Sequence, residues 1–127
     1  MKTIITTSDA PAPIGPYNQA IFIKDTLYIS GQTPINPATG KLVEGDVQAE
    51  AKQCMENLGA ILKEAGLTFE NVVKTSIFLK DMHQFSLVNE VYGSYFDAAT
   101  APARETVEVA NLPMFVNVEI SMIAVKF

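Results

Sequence analysis

The chain has 127 residues, 48% of them apolar and 18% charged, with nine Lys plus Arg against fourteen Asp plus Glu and a net charge of −5. That length suits one domain over residues 1–127 with its own core, and the acidic balance argues against a nucleic-acid footprint of basic patches. A single cysteine, Cys54, and a single histidine, His83, exclude an internal disulfide and a zinc site of the usual nitrogen and sulfur ligands.

No apolar run approaches the ~20 residues that cross a bilayer. The opening Met1-Lys2-Thr3-Ile4-Ile5 lacks the apolar core of a signal peptide, and the expectation is a cytoplasmic protein. Gly40 to Gly45 has the glycine spacing of a phosphate loop, but Asp46 stands where lysine is needed. Neither G-x-G-x-x-G nor G-x-S-x-G occurs, and no carboxylate loop for a hard cation is present.

Residues 8–16 form a Pro/Gly-rich loop. Asn18 to Lys24 and Leu27 to Ser30 read as strands around an Asp25-Thr26 turn. Gly31 to Gly45 reads as loop. Asp46 then suits a helix N-cap. Val47, Ala51, Cys54, Met55, Leu58, Ile61, Leu62 and Ala65 recur at steps of three and four, and Gly66 closes the helix.

Val72 to Leu79 is a β-branched strand. Asp81 with Gln84 suggests a capping box for a second helix, whose apolar stripe is Phe85, Val88, Tyr92, Tyr95 and Phe96. Arg104 to Val109 and Val116 to Val125 read as the two strands that follow. Two helices on one face of a mixed or antiparallel sheet make an α+β two-layer sandwich. The last strand carries apolar residues on both parities, which predicts that its second face meets another subunit in a homo-oligomer. A bare sheet face is the alternative.

Arg104 is the sole arginine. If its strand and the last one form a hairpin over Ala110 to Phe115, parity permits Arg104, Thr106 and Glu119 to share a face. The arginine then suits a substrate carboxylate and the glutamate a water, while the same spacing also suits an ordinary cross-strand salt bridge. Tyr17, on a proline-stiffened loop, is either a ligand-facing phenol or a plug at the core edge. Ser30-Gly31 either lets a ligand approach the backbone or merely ends a strand. Asn89 flanks the second helix's stripe and suits either a ligand or plain solvation. Cys54 reads as inert core, and His83 lacks a nucleophile placed beside it.

Taken in order, several segments resemble the RidA (YjgF/YER057c/UK114) family across essentially the whole chain. They are Ala12-Pro13-Ile14-Gly15-Pro16-Tyr17, Ser30-Gly31-Gln32, Ala65-Gly66-Leu67, Val73-Lys74-Thr75, Val88-Asn89, Pro102-Ala103-Arg104, Val107-Glu108-Val109-Ala110 with Leu112-Pro113, and Val118-Glu119-Ile120. The resemblance implies a fold similar to chorismate mutase and a homotrimer with ligand clefts between subunits. It implies hydrolysis of 2-imino acids such as 2-iminopropanoate and 2-iminobutanoate to 2-oxo acids and ammonia. No cofactor or metal is implied, because the imine is already electrophilic. The alternatives are a 2-oxo acid sensing module without turnover and an RNA-cleaving translation inhibitor.

Carried over by position, Arg104 binds the substrate carboxylate and Glu119 places the attacking water. Tyr17, Ser30, Gly31 and Asn89 line the cleft. Two departures matter. Thr106 stands where many bacterial members have cysteine, and its hydroxyl still serves as a hydrogen-bond partner. Met114-Phe115 replace a common Lys-Asp pair, making the cleft rim more apolar.

Overall fold

The computed structural model describes all 127 residues. Eight strands and two helices alternate in the chain: β1 Lys2–Ile5, β2 Ala20–Ile23, β3 Thr26–Gln32, β4 Ile35–Asn36, β5 Lys41–Leu42, α1 Val47–Glu64, β6 Val72–Leu79, α2 Phe85–Gly93, β7 Ala103–Glu108 and β8 Val118–Val125. Six strands form one sheet in the order β1-β2-β3-β8-β6-β7, and β4 pairs with β5 in a separate ribbon. All pairings in the large sheet are antiparallel except β6 with β7. The expected α+β sandwich, a mixed sheet with both helices on one face, is the fold observed.

The first helix forms where its periodicity placed it. Asp46 accepts a hydrogen bond from the Ala49 amide at 2.9 Å, and Gly66 takes φ +77° just past the end. Its buried stripe of Ala51, Cys54, Met55, Leu58, Ile61 and Leu62 packs on Leu27 and Ile29 of β3 and on Val118, Ile120, Met122 and Ala124 of β8. Cys54 sits wholly inside, its thiol directed at the Val118 carbonyl 3.8 Å away, and burial pushes its pKa well up. Asn57, also fully buried, donates to the carbonyls of Thr33 and Ile35 and so ties α1 to the segment following β3. No helix is long and apolar enough to cross a membrane.

Five expectations need correction. The β2–β3 turn is Lys24-Asp25, one residue earlier than expected, with Lys24 at φ 50° in a conformation glycine adopts more cheaply. The loop expected over residues 31–45 holds the short β4–β5 pair. Asp81 caps only a 3₁₀ turn over Met82–Gln84, and α2 begins at Phe85 without a side-chain cap. That helix ends at Gly93, so Tyr95 and Phe96 lie beyond it, where they pack around Phe69.

The fifth correction moves the site. β7 and β8 do not form a hairpin, because β6 lies between them. α2 carries the chain from β6 to a parallel neighbour, as a crossover does, and the loop after β7 then brings β8 to the other side of β6. In this register Arg104 pairs with Thr75, while Glu119 pairs with Phe78.

Both helices cover the same side of the sheet. The other side carries a row of Ile4, Ile21, Tyr28 and Ile123, matched in register across four strands and covered by no element of this chain.

Candidate active site

Arg104 lies on the edge strand β7 and turns toward the helices. Its guanidinium stands over the rings of Tyr92 and Phe85, 5.1 and 5.5 Å from their centres. Each such contact contributes about 0.5–1 kcal/mol at an exposed site. Its Nη1 donates to Asn89 Oδ1 at 2.7 Å. Tyr92 is itself fixed, since its hydroxyl donates to Thr75 Oγ1 at 3.0 Å. Burial raises the Tyr92 pKa, against the lowering effects of Thr75 and Arg104. No carboxylate of this chain pairs with Arg104. The result is an oriented cation with its remaining N–H donors free for an anion.

Thr106 lies two residues further on the same strand face, ~7 Å along it. Its Oγ1 is the one buried side-chain oxygen or nitrogen in the protein without a hydrogen-bond partner. An unpartnered buried hydroxyl costs about 1–3 kcal/mol, so a ligand that reaches it gains a bond.

Glu119 points the other way. Its neighbours Val118 and Ile120 are buried against α1, so its own side chain emerges on the opposite face of the sheet. It is half-buried, and desolvation raises its pKa above the ordinary 4.5. Its carboxylate lies directly against Gly31, where a Cβ would come within 2.8 Å of Oε2 and 2.9 Å of Cδ. Gly31 is thus a place where only the absence of a side chain admits the acid. Gly31→Ala is expected to displace the carboxylate with the fold intact, so that any reaction using the acid slows at least ~10-fold. Steady-state kinetics beside a circular-dichroism melt checks this.

Glu119 and Gly31 share a pocket of about 90 Å³ with Tyr17, Gln32, Pro113 and Met114. That volume admits a small molecule or part of one. Tyr17 accepts a hydrogen bond from the Ile14 amide at 3.4 Å. Ser30 precedes Gly31, and its hydroxyl donates to the Asn18 carbonyl at 2.6 Å, tying Tyr17's loop to β3. A wider groove of about 450 Å³ runs between α1 and α2 along Gln48, Lys52, Glu90 and Tyr95, but holds none of the expected site residues.

The structure therefore gathers the candidates into two patches on opposite sheet faces. Arg104, Asn89 and Thr106 form one; Tyr17, Gly31 and Glu119 form the other, with Ser30 behind it. The single shared face expected of Arg104 and Glu119 does not exist within one chain.

Two supporting residues escaped the sequence reading. Gln19 is buried and accepts from the Thr7 amide at 2.7 Å while its amide group donates to the carbonyls of Thr7, Ala10 and Pro11, clamping the proline loop. Glu50 is buried on α1 and accepts from the Asn117 amide at 3.0 Å and its side-chain nitrogen at 2.6 Å, fixing the chain two residues before Glu119. Gln19 has no motif around it. Glu50 was legible only as a favourable first-turn acid.

Between Leu112 and Val116 the chain makes a tight 3₁₀ turn in which Met114 and Phe115 take φ 57° and 56°. Left-handed backbone costs a side-chain-bearing residue about 1–2 kcal/mol, so the rim of the Glu119 pocket is held under strain.

Fold and side chains together define a small α+β protein with an acid-free guanidinium on one sheet face and a half-buried carboxylate on the other. Residues 7–126 match the family model described as Endoribonuclease L-PSP. A RutC family protein of Synechocystis is 57% identical over 123 residues, 96% of this chain and 95% of that one. The mouse protein named 2-iminobutanoate/2-iminopropanoate deaminase is 51% identical, across 99% of this chain and 93% of that one. The crystal structure of the Rid-family protein YyfA from Yersinia pestis superposes with a TM-score of 0.96 at 47% identity, covering 99% and 100% of the two chains. The chain belongs to the RidA family, as its motifs implied.

Proposed function

We propose that this protein hydrolyses reactive 2-imino acids to 2-oxo acids and ammonia at sites completed between two copies of the chain. Arg104, Asn89 and Thr106 come from one copy; Tyr17, Gly31 and Glu119, backed by Ser30, come from its neighbour. The observation that carries the reading is the free Arg104 guanidinium, oriented on two rings and one amide with no acid of its own chain to pair with. The name carried by the mouse relative supports the substrate class. The uncovered row of Ile4, Ile21, Tyr28 and Ile123 supports assembly, because burying apolar surface drives association. The arrangement proposed is the homotrimer the family resemblance implies.

In this mechanism Arg104 grips the substrate carboxylate as a two-pronged donor. Glu119 accepts a proton from a water as that water's oxygen bonds to the C=N carbon. That proton passes to the nitrogen to give the carbinolamine; the hydroxyl proton then moves to the amino group through Glu119 as the C–N bond breaks, ammonia departs, and the carbon keeps its oxygen as the 2-oxo group. Imines hydrolyse unaided, so the protein's task is placement, which contributes several kcal/mol in favourable geometries. Such imines are released by pyridoxal-phosphate enzymes, and their removal protects those enzymes from damage. RNA cleavage is the second reading, favoured by the description of the family model. The net charge of −5 and a pocket of about 90 Å³ without a histidine favour the small carboxylate.

Subunit complementation tests the proposal. Arg104→Ala and Glu119→Gln are each expected to be inactive when threonine dehydratase supplies the imine. Refolded together, random assembly puts a native arginine opposite a native glutamate in about a quarter of the interfaces. Activity should recover to that fraction. A mixture that stays silent, with mixed assemblies verified by mass spectrometry, rejects the shared site.

A further inference from the structure

We infer that Met114 builds an apolar side-chain subsite beside Glu119, selecting 2-imino acids with long or branched aliphatic side chains over those with a methyl group. The inference rests on the deaminase reading and names the substrate class of that same site. An imine carbon bears three substituents. With the carboxylate at Arg104 and the C=N group at the water beside Glu119, the side chain must turn toward the remaining wall. The apolar part of the pocket's lining is Pro11, Ala12, Ile14, Ile35, Pro113 and Met114, beside the polar Tyr17, Gln19, Gln32 and Thr33. Glu119 is the only charged residue lining the pocket.

Met114 is held there rather than resting there. Leu112 and Val116, on either side of the turn, are buried. The Phe115 amide donates to the Leu112 carbonyl at 2.9 Å and the Val116 amide to the Pro113 carbonyl at 3.4 Å. Glu50 then fixes Asn117 immediately downstream. With both ends pinned, the intervening residues keep their left-handed backbone at φ 57° and 56°. Phe115 is left 73% exposed, while Met114 lines the pocket and is 42% exposed. Backbone strain maintained by fixed surroundings clusters at functional positions. The thioether chain, unbranched and polarisable, adapts to aliphatic groups of different shapes.

The test compares binding of pyruvate and 4-methyl-2-oxopentanoate to the assembled protein by calorimetry, with imine turnover measured separately. Extra methylenes in such a pocket are each worth about 10-fold or more in discrimination. The wild type is expected to bind the branched acid at least ~10-fold more tightly than pyruvate. Met114→Gln should reduce that ratio to about 2-fold or less, since a hydrated amide in place of the thioether removes apolar surface the aliphatic group would bury. Met114→Gly should lose the preference too, yet melt at a higher temperature because glycine accepts the left-handed backbone. That combination separates lost selectivity from a damaged fold. Equal affinities in the wild type, or a preference that survives both substitutions, overturn the subsite even if imines are hydrolysed. A preference for the branched acid without imine turnover supports the subsite and removes the deaminase reading alone.

Discussion

Arg104→Ala is expected to lower kcat/KM for 2-imino acid hydrolysis by about 10²- to 10³-fold, because truncating one partner of a desolvated charge pair costs ~2–5 kcal/mol. The loss should fall on both kcat and KM, since the arginine binds the ground state and also sets the position of the reacting carbon. Arg104→Lys should rescue little. A lysine ammonium neither forks onto a carboxylate nor stacks flat on Tyr92 and Phe85. The fold should survive, for Arg104 is exposed on an edge strand and its loss removes only the two ring contacts and the bond to Asn89. The measurement is 2-oxo acid release beyond the spontaneous rate, with threonine dehydratase in excess. Wild-type rates in the alanine variant would refute the role assigned to the guanidinium.

Glu119→Gln should separate activity from stability. Removing a general base costs about 10²- to 10⁴-fold in turnover. Stability should move the other way. Desolvation raises the folded-state pKa of Glu119 above its unfolded value, so the folded state holds the proton more tightly. Below the unfolded pKa both states are protonated and the full contribution is present. As pH rises through the folded pKa, that contribution is lost, because the buried carboxyl must ionise. Glutamine never ionises. The variant should therefore be the more stable protein at neutral pH, with the difference vanishing in acid. In the assembly proposed here, the neighbouring chain's Arg104 would offset the burial effect. The comparison is cleanest in an Arg104→Ala background, followed by denaturant melts across pH 4–8. A variant that is less stable than its parent at neutral pH would contradict the environment assigned to the acid.

These two residues also mark the limit of what the sequence discloses. α1 was legible because its stripe, Asp46 and Gly66 are all local signals and agree with one another. The strands flanking Arg104 and Glu119 were legible as strands but not as neighbours. Adjacent strands in a chain usually pair, and parity alone cannot reveal that β6 has come between them. The loop between them, longer than a tight hairpin needs, was the available warning. Gln19 and Asn57 stayed unread for another reason. A buried carboxamide is chosen by the backbone carbonyls that the fold brings to it, and those come from up to 24 residues away. Thr106 was picked out by its parity with Arg104 and by family likeness, but its unpartnered hydroxyl shows only in the folded chain. Met114 was noticed only as an unusually apolar residue, because backbone dihedrals are not written in residue type.

The seclusion of Cys54 has a practical outcome. The lone sulfur is walled in by α1 and β8 and has no second cysteine to bond with, so maleimides and disulfide reagents should leave the native protein untouched. Reagent uptake then proceeds only through molecules that have transiently opened, and its rate becomes an internal clock for global unfolding. A one-cysteine chain of this kind should keep through aerobic purification without reductant, and each modified molecule records a single excursion from the native state.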